Sequence, residues 1–149
     1  MAASLATAGL GTVIAINTGT ASTPTWTTIG ESAEITPSGY QNKTDEVTNF
    51  GSTAVEHIFT IQDGGSWDIM ANRVSSDTGQ SALQTAFAAG TTKQFKATLP
   101  KNASQTTAGD NFQFSAIVEK FQPSIKVDKA TKMAITLKVT NGVTFTAGS

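Results

Sequence analysis

Two runs near the middle of the chain alternate side-chain character with the period of a β-strand. In the first, Val55, His57, Phe59 and Ile61 share one side, and Glu56, Ile58, Thr60 and Gln62 share the other. In the second, Trp67, Ile69 and Ala71 alternate with Ser66, Asp68, Met70 and Asn72. Successive side chains of an extended strand point to opposite faces, so each run has one apolar and one more polar face. Asp63-Gly64-Gly65 separates the runs, and glycine reaches positive φ without steric cost. The pattern predicts a long central β-hairpin against which the rest of the chain is built. His57, the one histidine, falls on its apolar side and reads as a packed core residue rather than a base or ligand.

Further strand patterns flank this hairpin. Residues 11–17 form a short apolar run, and 26–29 and 31–35 are two short strands about Gly30. Residues 93–99 alternate, with Phe95, Ala97 and Leu99 inward, and Pro100 stops them. In 111–121, Phe112, Phe114, Ala116 and Val118 share a face, and Gln122-Pro123 is expected to interrupt pairing. The clearest strand is 131–140, where Met133, Ile135, Leu137 and Val139 alternate with Lys132, Ala134, Thr136 and Lys138. Asn141-Gly142 then signals a hairpin returning through 143–145. One helix is expected. Asp77 can cap it, Gln80 can answer as in a capping box, Leu83, Ala86 and Phe87 form its apolar stripe, and Gly90 ends it. Residues 40–53 are polar and long for a plain connection, which fits a partner contact or a solvated loop.

The chain of 149 residues suits one domain, with residues 1–10 as a flexible arm and 11–149 as the β domain. Only 14% of residues are charged, and threonine, a strand former, is the commonest type. Cysteine is absent, which excludes disulfides, thiolate metal sites and thiol nucleophiles. The first residues lack the pattern of a secretory signal, and no run approaches a membrane span. No constellation for catalysis, cofactor or metal stands out. A single arginine, Arg73, argues against an arginine-built reader of phosphate or DNA. The reading is therefore a structural or binding protein rather than an enzyme.

Charge is polarised along the chain. Residues 1–80 hold eight acidic and two basic side chains, and 81–149 hold three acidic and eight basic. The two halves can attract each other within one molecule. Alternatively, acidic and basic surfaces meet on neighbouring copies, and such head-to-tail contacts close into rings or run on as filaments.

The order of these features resembles the major tail tube proteins of long-tailed phages and phage-like particles. An Asp45-Glu46-Val47-Thr48 stretch precedes a polar loop, then Val55-Glu56 opens a strand, followed by Asp63-Gly64-Gly65 and a second strand. A short helix with Gly79-Gln80-Ser81-Ala82-Leu83 follows, then Phe95 to Pro100, Phe112 to Phe121 and the closing strand at Met133. The resemblance covers roughly residues 25–145. It implies a β-sandwich or partly closed barrel with one flanking helix, as in the type VI secretion tube. It also implies homo-hexameric rings stacked head to tail into a hollow tube in the virion tail, made in the host cytoplasm. DNA would pass through the lumen without specific binding. Tape measure, tail-tip and tail-terminator proteins would be partners, with no membrane and no cofactor. Residues 1–10 and the 40–53 loop would reach neighbouring subunits, which makes Asp45, Glu46, Val47, Thr48 and Phe50 the inter-subunit candidates. A conduit should not hold phosphates, so an acidic or neutral lumen is expected, with Glu56, Thr60, Gln62 and Asp68 as candidates. The alternative is a small β-sandwich adhesion or carbohydrate-binding module using Trp26, Tyr40 and Trp67 as an aromatic platform.

Overall fold

The computed structural model describes Ser4, Ala6 and residues 8–149. Residues 1–3, 5 and 7 of the expected arm lie outside the described residues. In chain order the strands are β1 (Val13–Asn17), β2 (Trp26–Thr28), β3 (Ser32–Ser38), β4 (Gln41–Glu46), β5 (His57–Asp63) and β6 (Ser66–Asn72). Helix α1 (Thr78–Ala89) follows, then β7 (Thr92–Thr98), β8 (Asn111–Ser124), β9 (Lys132–Val139) and β10 (Thr144–Thr146).

The main sheet is antiparallel, in the order β2-β1-β7-β8-β9-β6-β3, with β10 also on β8. Its spine is β8, which pairs along 111–117 with β7 and along 116–124 with β9. The sheet folds over on itself, because Trp67 on β6 stacks on Phe114 of β8 at 4.6 Å although β9 lies between them. The result is the expected β-sandwich, or partly closed barrel. Phe95, Phe114, Ile14 and Ile16 from one half meet Ile69, Met133, Ile135 and Leu137 from the other in one buried core.

The helix forms as its sequence predicts. Asp77 caps it, accepting from the Gln80 N–H at 2.8 Å, and Gly90 closes it in the left-handed region at φ 65°. Leu83 and Ala86 are buried, while Phe87 stays partly exposed and stacks on Phe121. The Gln80 side chain departs from the capping-box expectation. It is fully buried, donates to the carbonyls of Gly30 and Asn72, and accepts from the Val74 N–H. Gln80 therefore ties the helix to the ends of β3 and β6.

Several strand expectations are corrected. The predicted hairpin of β5 with β6 does not form. Instead β3 pairs with β6, and β4 pairs with β5. The polar stretch expected as a loop contains β4, whose six side chains are all exposed and so carry no alternation to read. Pro123 does not end β8, because beyond β7, which reaches only Ile117, the strand keeps one partner and one open edge, and an edge strand tolerates proline. Asn141-Gly142 does not fold the chain back on β9. It carries the chain onward so that β10 pairs with the opening of β8.

Candidate assembly surface

The strand pairs β3–β6 and β4–β5 are two ladders in line with each other. Ser38 lies opposite Ser66, and Gln41 lies opposite Asp63, so the register does not change across the gap. Gly39 and Gly65, both at positive φ, face each other at this junction. A Cβ at Gly65 would run into the Ser38 carbonyl and the backbone of Gly39. The Asp63 carboxylate accepts from the Gly65 N–H at 2.9 Å and approaches the Lys43 ammonium at 3.6 Å. These contacts, the Gly65 bond foremost, hold the Asp63 carboxyl below the ordinary carboxylate range. The turn-like Asp63-Gly64-Gly65 is thus the kink where a long hairpin leaves the body.

Beyond the kink, β4 and β5 project as an arm. A bulge at Thr60 twists it, and the Thr60 hydroxyl donates to the Lys43 carbonyl. The tip is a built loop. Val47 N–H donates to the Glu56 carbonyl, Glu56 N–H to the Thr48 hydroxyl, and Gly51 N–H to the Asn49 side chain. The Ser52 hydroxyl donates to the Glu56 carboxylate at 2.9 Å.

What the arm lacks is cover. Phe50 is fully exposed at the tip, and Val55, Ile58, Phe59 and Ile61 each keep half or more of their surface in water. His57, expected in the core, is exposed as well, because none of the described residues covers the face it shares. An isolated two-stranded hairpin is marginal in water, and a cluster of bare apolar side chains marks a contact surface.

The arm gathers Asp45 and Glu46 at the end of β4 with Val47, Thr48 and Phe50 at the tip. Of the residues expected to face a lumen, Glu56 sits at this tip and Thr60 and Gln62 lie on β5. Asp68 stands apart, on the polar face of the main sheet, where it accepts from the Thr136 hydroxyl at 2.7 Å. Cross-strand neighbours place Thr36, Asp68, Thr136 and Lys120 in one row of that face, and Glu34, Met70, Ala134 and Gln122 in the next. Sequence reasoning missed Phe59 and Ile61 as surface residues. The available signal was Ile58, which leaves β5 apolar on both faces.

The aromatic platform does not exist. Trp67 is buried on Phe114, and Trp26 lies under the Lys96 ammonium. Trp67 instead backs an apolar cavity of about 520 Å³ at the root of the arm, lined also by Ile35, Pro37, Leu99 and Phe112. Among the described residues no group of acidic or histidine side chains is arranged to hold a metal.

No protein-family model and no curated protein matches the chain. Solved structures do. A chain in the tail of the empty GTA particle, computed with C6 symmetry, superposes with a TM-score of 0.72 at 15% identity, covering 95% of this chain and all of that one. A chain in the cap terminating the tube of the anti-feeding prophage gives 0.72 at 12% identity, covering 99% and 95%. A chain of the SPP1 tail tube gives 0.68 at 18% identity, covering 97% and 80%. At these identities the likeness is one of fold, and it spans nearly the whole chain. The chain has the fold of the tube proteins of phage tails and contractile injection systems.

Proposed function

We propose that the chain is the repeating structural subunit of a hollow tail tube, built of hexameric rings stacked head to tail, through which DNA passes at ejection. The observation that carries this reading is the arm. A chain with a closed core still leaves Phe50, Phe59 and Ile61 bare on an ordered projection, and repeated copies of itself can cover them. The tail-tube fold supports the same role. The role is structural, not catalytic, and its place is the virion tail. Tail-terminator, tail-tip and tape measure proteins are the proposed partners at the ends and in the lumen. The polar face bearing Asp68 is the proposed lumen wall, with Glu56, Thr60 and Gln62 added from the arm. The sheet part of this wall mixes Glu34 and Asp68 with Lys120, Lys132 and Lys138, and it contains no arginine.

Electron microscopy of the purified protein over a concentration series, beside size-exclusion chromatography, tests the proposal. The expected result is hollow tubes or sixfold rings. A protein that stays monomeric to its solubility limit, and that adds to no preformed tube end, would overturn it.

A further inference from the structure

The ladder between β6 and β9 gives the molecule an axis. Ser66 pairs with Lys138 at the end where the arm leaves, and Asn72 pairs with Lys132 at the other. The connection from β8 to β9, residues 125–131, therefore sits at the end of the sheet opposite the arm. Seven residues of strand separate the two ends by roughly 20 Å.

The two ends are chemically complementary. The arm carries Asp45, Glu46, Glu56 and Asp63 against one lysine, Lys43. Around these charges its apolar side chains are bare. The β8–β9 connection is also apolar and uncovered, with Ile125 74% exposed and Val127 wholly exposed. Its charges are of the other sign, with Lys126 and Lys129 in the turn and Lys132 at its edge against Asp128. Each end thus presents exposed apolar side chains flanked by charge, acidic at one end and basic at the other.

We propose that the arm of one copy docks on the β8–β9 turn of the next copy along the strand axis. This inference rests on the tube reading and adds the specific surfaces that join consecutive rings. The contact is heterologous, since different patches meet, and it repeats without closing, which is what a growing tube needs. It also assigns the charge split of the sequence to an interface between copies rather than within one. Ile125 and Val127 supply the apolar seat, and Lys126 and Lys129 set direction by rejecting a second basic turn.

Charge reversal tests the pairing, because every residue involved is exposed and the fold does not depend on it. K126E/K129E and D45K/E46K are each expected to raise the critical concentration for tube formation about tenfold or more, read by sedimentation and microscopy. The four changes in one chain restore opposite charges across the contact and are expected to recover most of the loss. If the wild-type chain forms tubes and K126E/K129E forms them at the same concentration, the pairing is wrong and the tube reading stands. Failure of the fourfold variant to recover overturns it equally. A wild-type chain that forms no tubes removes the tube reading and the pairing together.

Discussion

The body and the arm are built from ladders in line with each other and end differently. In the body, β6 alternates Trp67, Ile69 and Ala71 inward, and all three are buried. In the arm, β5 offers His57 and Phe59 on one face and, with the bulge at Thr60 between them, Ile58 and Ile61 on the other, and none is buried. Strand type and apolar content do not distinguish them, and the bulge at Thr60 only divides the apolar side chains of β5 between its two faces. What differs is the second layer, which β7, β8 and α1 provide for the body and none of the described residues provides for the arm. Local sequence sets the strand; a partner sets whether its apolar face becomes core or interface.

The largest expected effect lies on the body side of this comparison. Phe95→Ala removes a fully buried ring that stacks on Phe114, and should cost about 3–5 kcal/mol in urea unfolding of the monomer. Phe59→Ala deletes the same kind of ring from the arm, where most of it already meets water. It should change monomer stability by less than about 0.5 kcal/mol, as surface substitutions do, while suppressing tube formation. Equal losses of stability in the two variants would mean that the arm is folded onto a core of its own.

A smaller effect tests how the regions are joined. Gly65→Ala must hold a left-handed φ of 68° and push a methyl group toward the Ser38 carbonyl. The conformational part alone costs roughly 1–2 kcal/mol. The expected outcome is faster hydrogen exchange in β4 and β5 with little change in β8 and β9. Uniform destabilisation would instead make the junction part of the body's cooperative unit.

The same contrast explains what was legible in the sequence. β9 was readable because Met133, Ile135 and Leu137 enter a core while Lys132, Thr136 and Lys138 do not. The helix was readable because its cap, stripe and terminal glycine are local signals. β4 was invisible because Gln41, Asn42 and Lys43 are wet on both faces, so no period is imposed. β5 was recognised as a strand and given the wrong partner, since Asp63-Gly64-Gly65 has turn chemistry and its opposite, Gly39, lies far away in sequence. Asn141-Gly142 misled for a similar reason: its signal is for a bend, and β8 was long enough to take both β9 and β10 on one edge. The candidate surface was half legible. Asp45 to Phe50 stood out as an unpacked stretch, but bare isoleucines on a strand look like core until the cover is found missing.

The smallest effect concerns the root of the arm. Asp63 titrates below the ordinary carboxylate range, chiefly because it accepts the Gly65 N–H, with Lys43 adding attraction. A carboxyl whose folded value is lowered binds fewer protons folded than unfolded. Its contribution is present above the ordinary carboxylate value and fades as pH falls from there through the lowered folded value. Acidification across that window should therefore loosen the kink, seen as rising exchange or broadening of the Gly65 amide. Asp63→Asn keeps a weaker acceptor for that amide and cannot titrate, so its Gly65 signal should be looser at neutral pH and flat across the same window. If Asp63→Asn and the wild type lose the Gly65 signal together on acidification, the junction is failing with the whole fold. The arm would then be no more independent of the body than any other pair of strands.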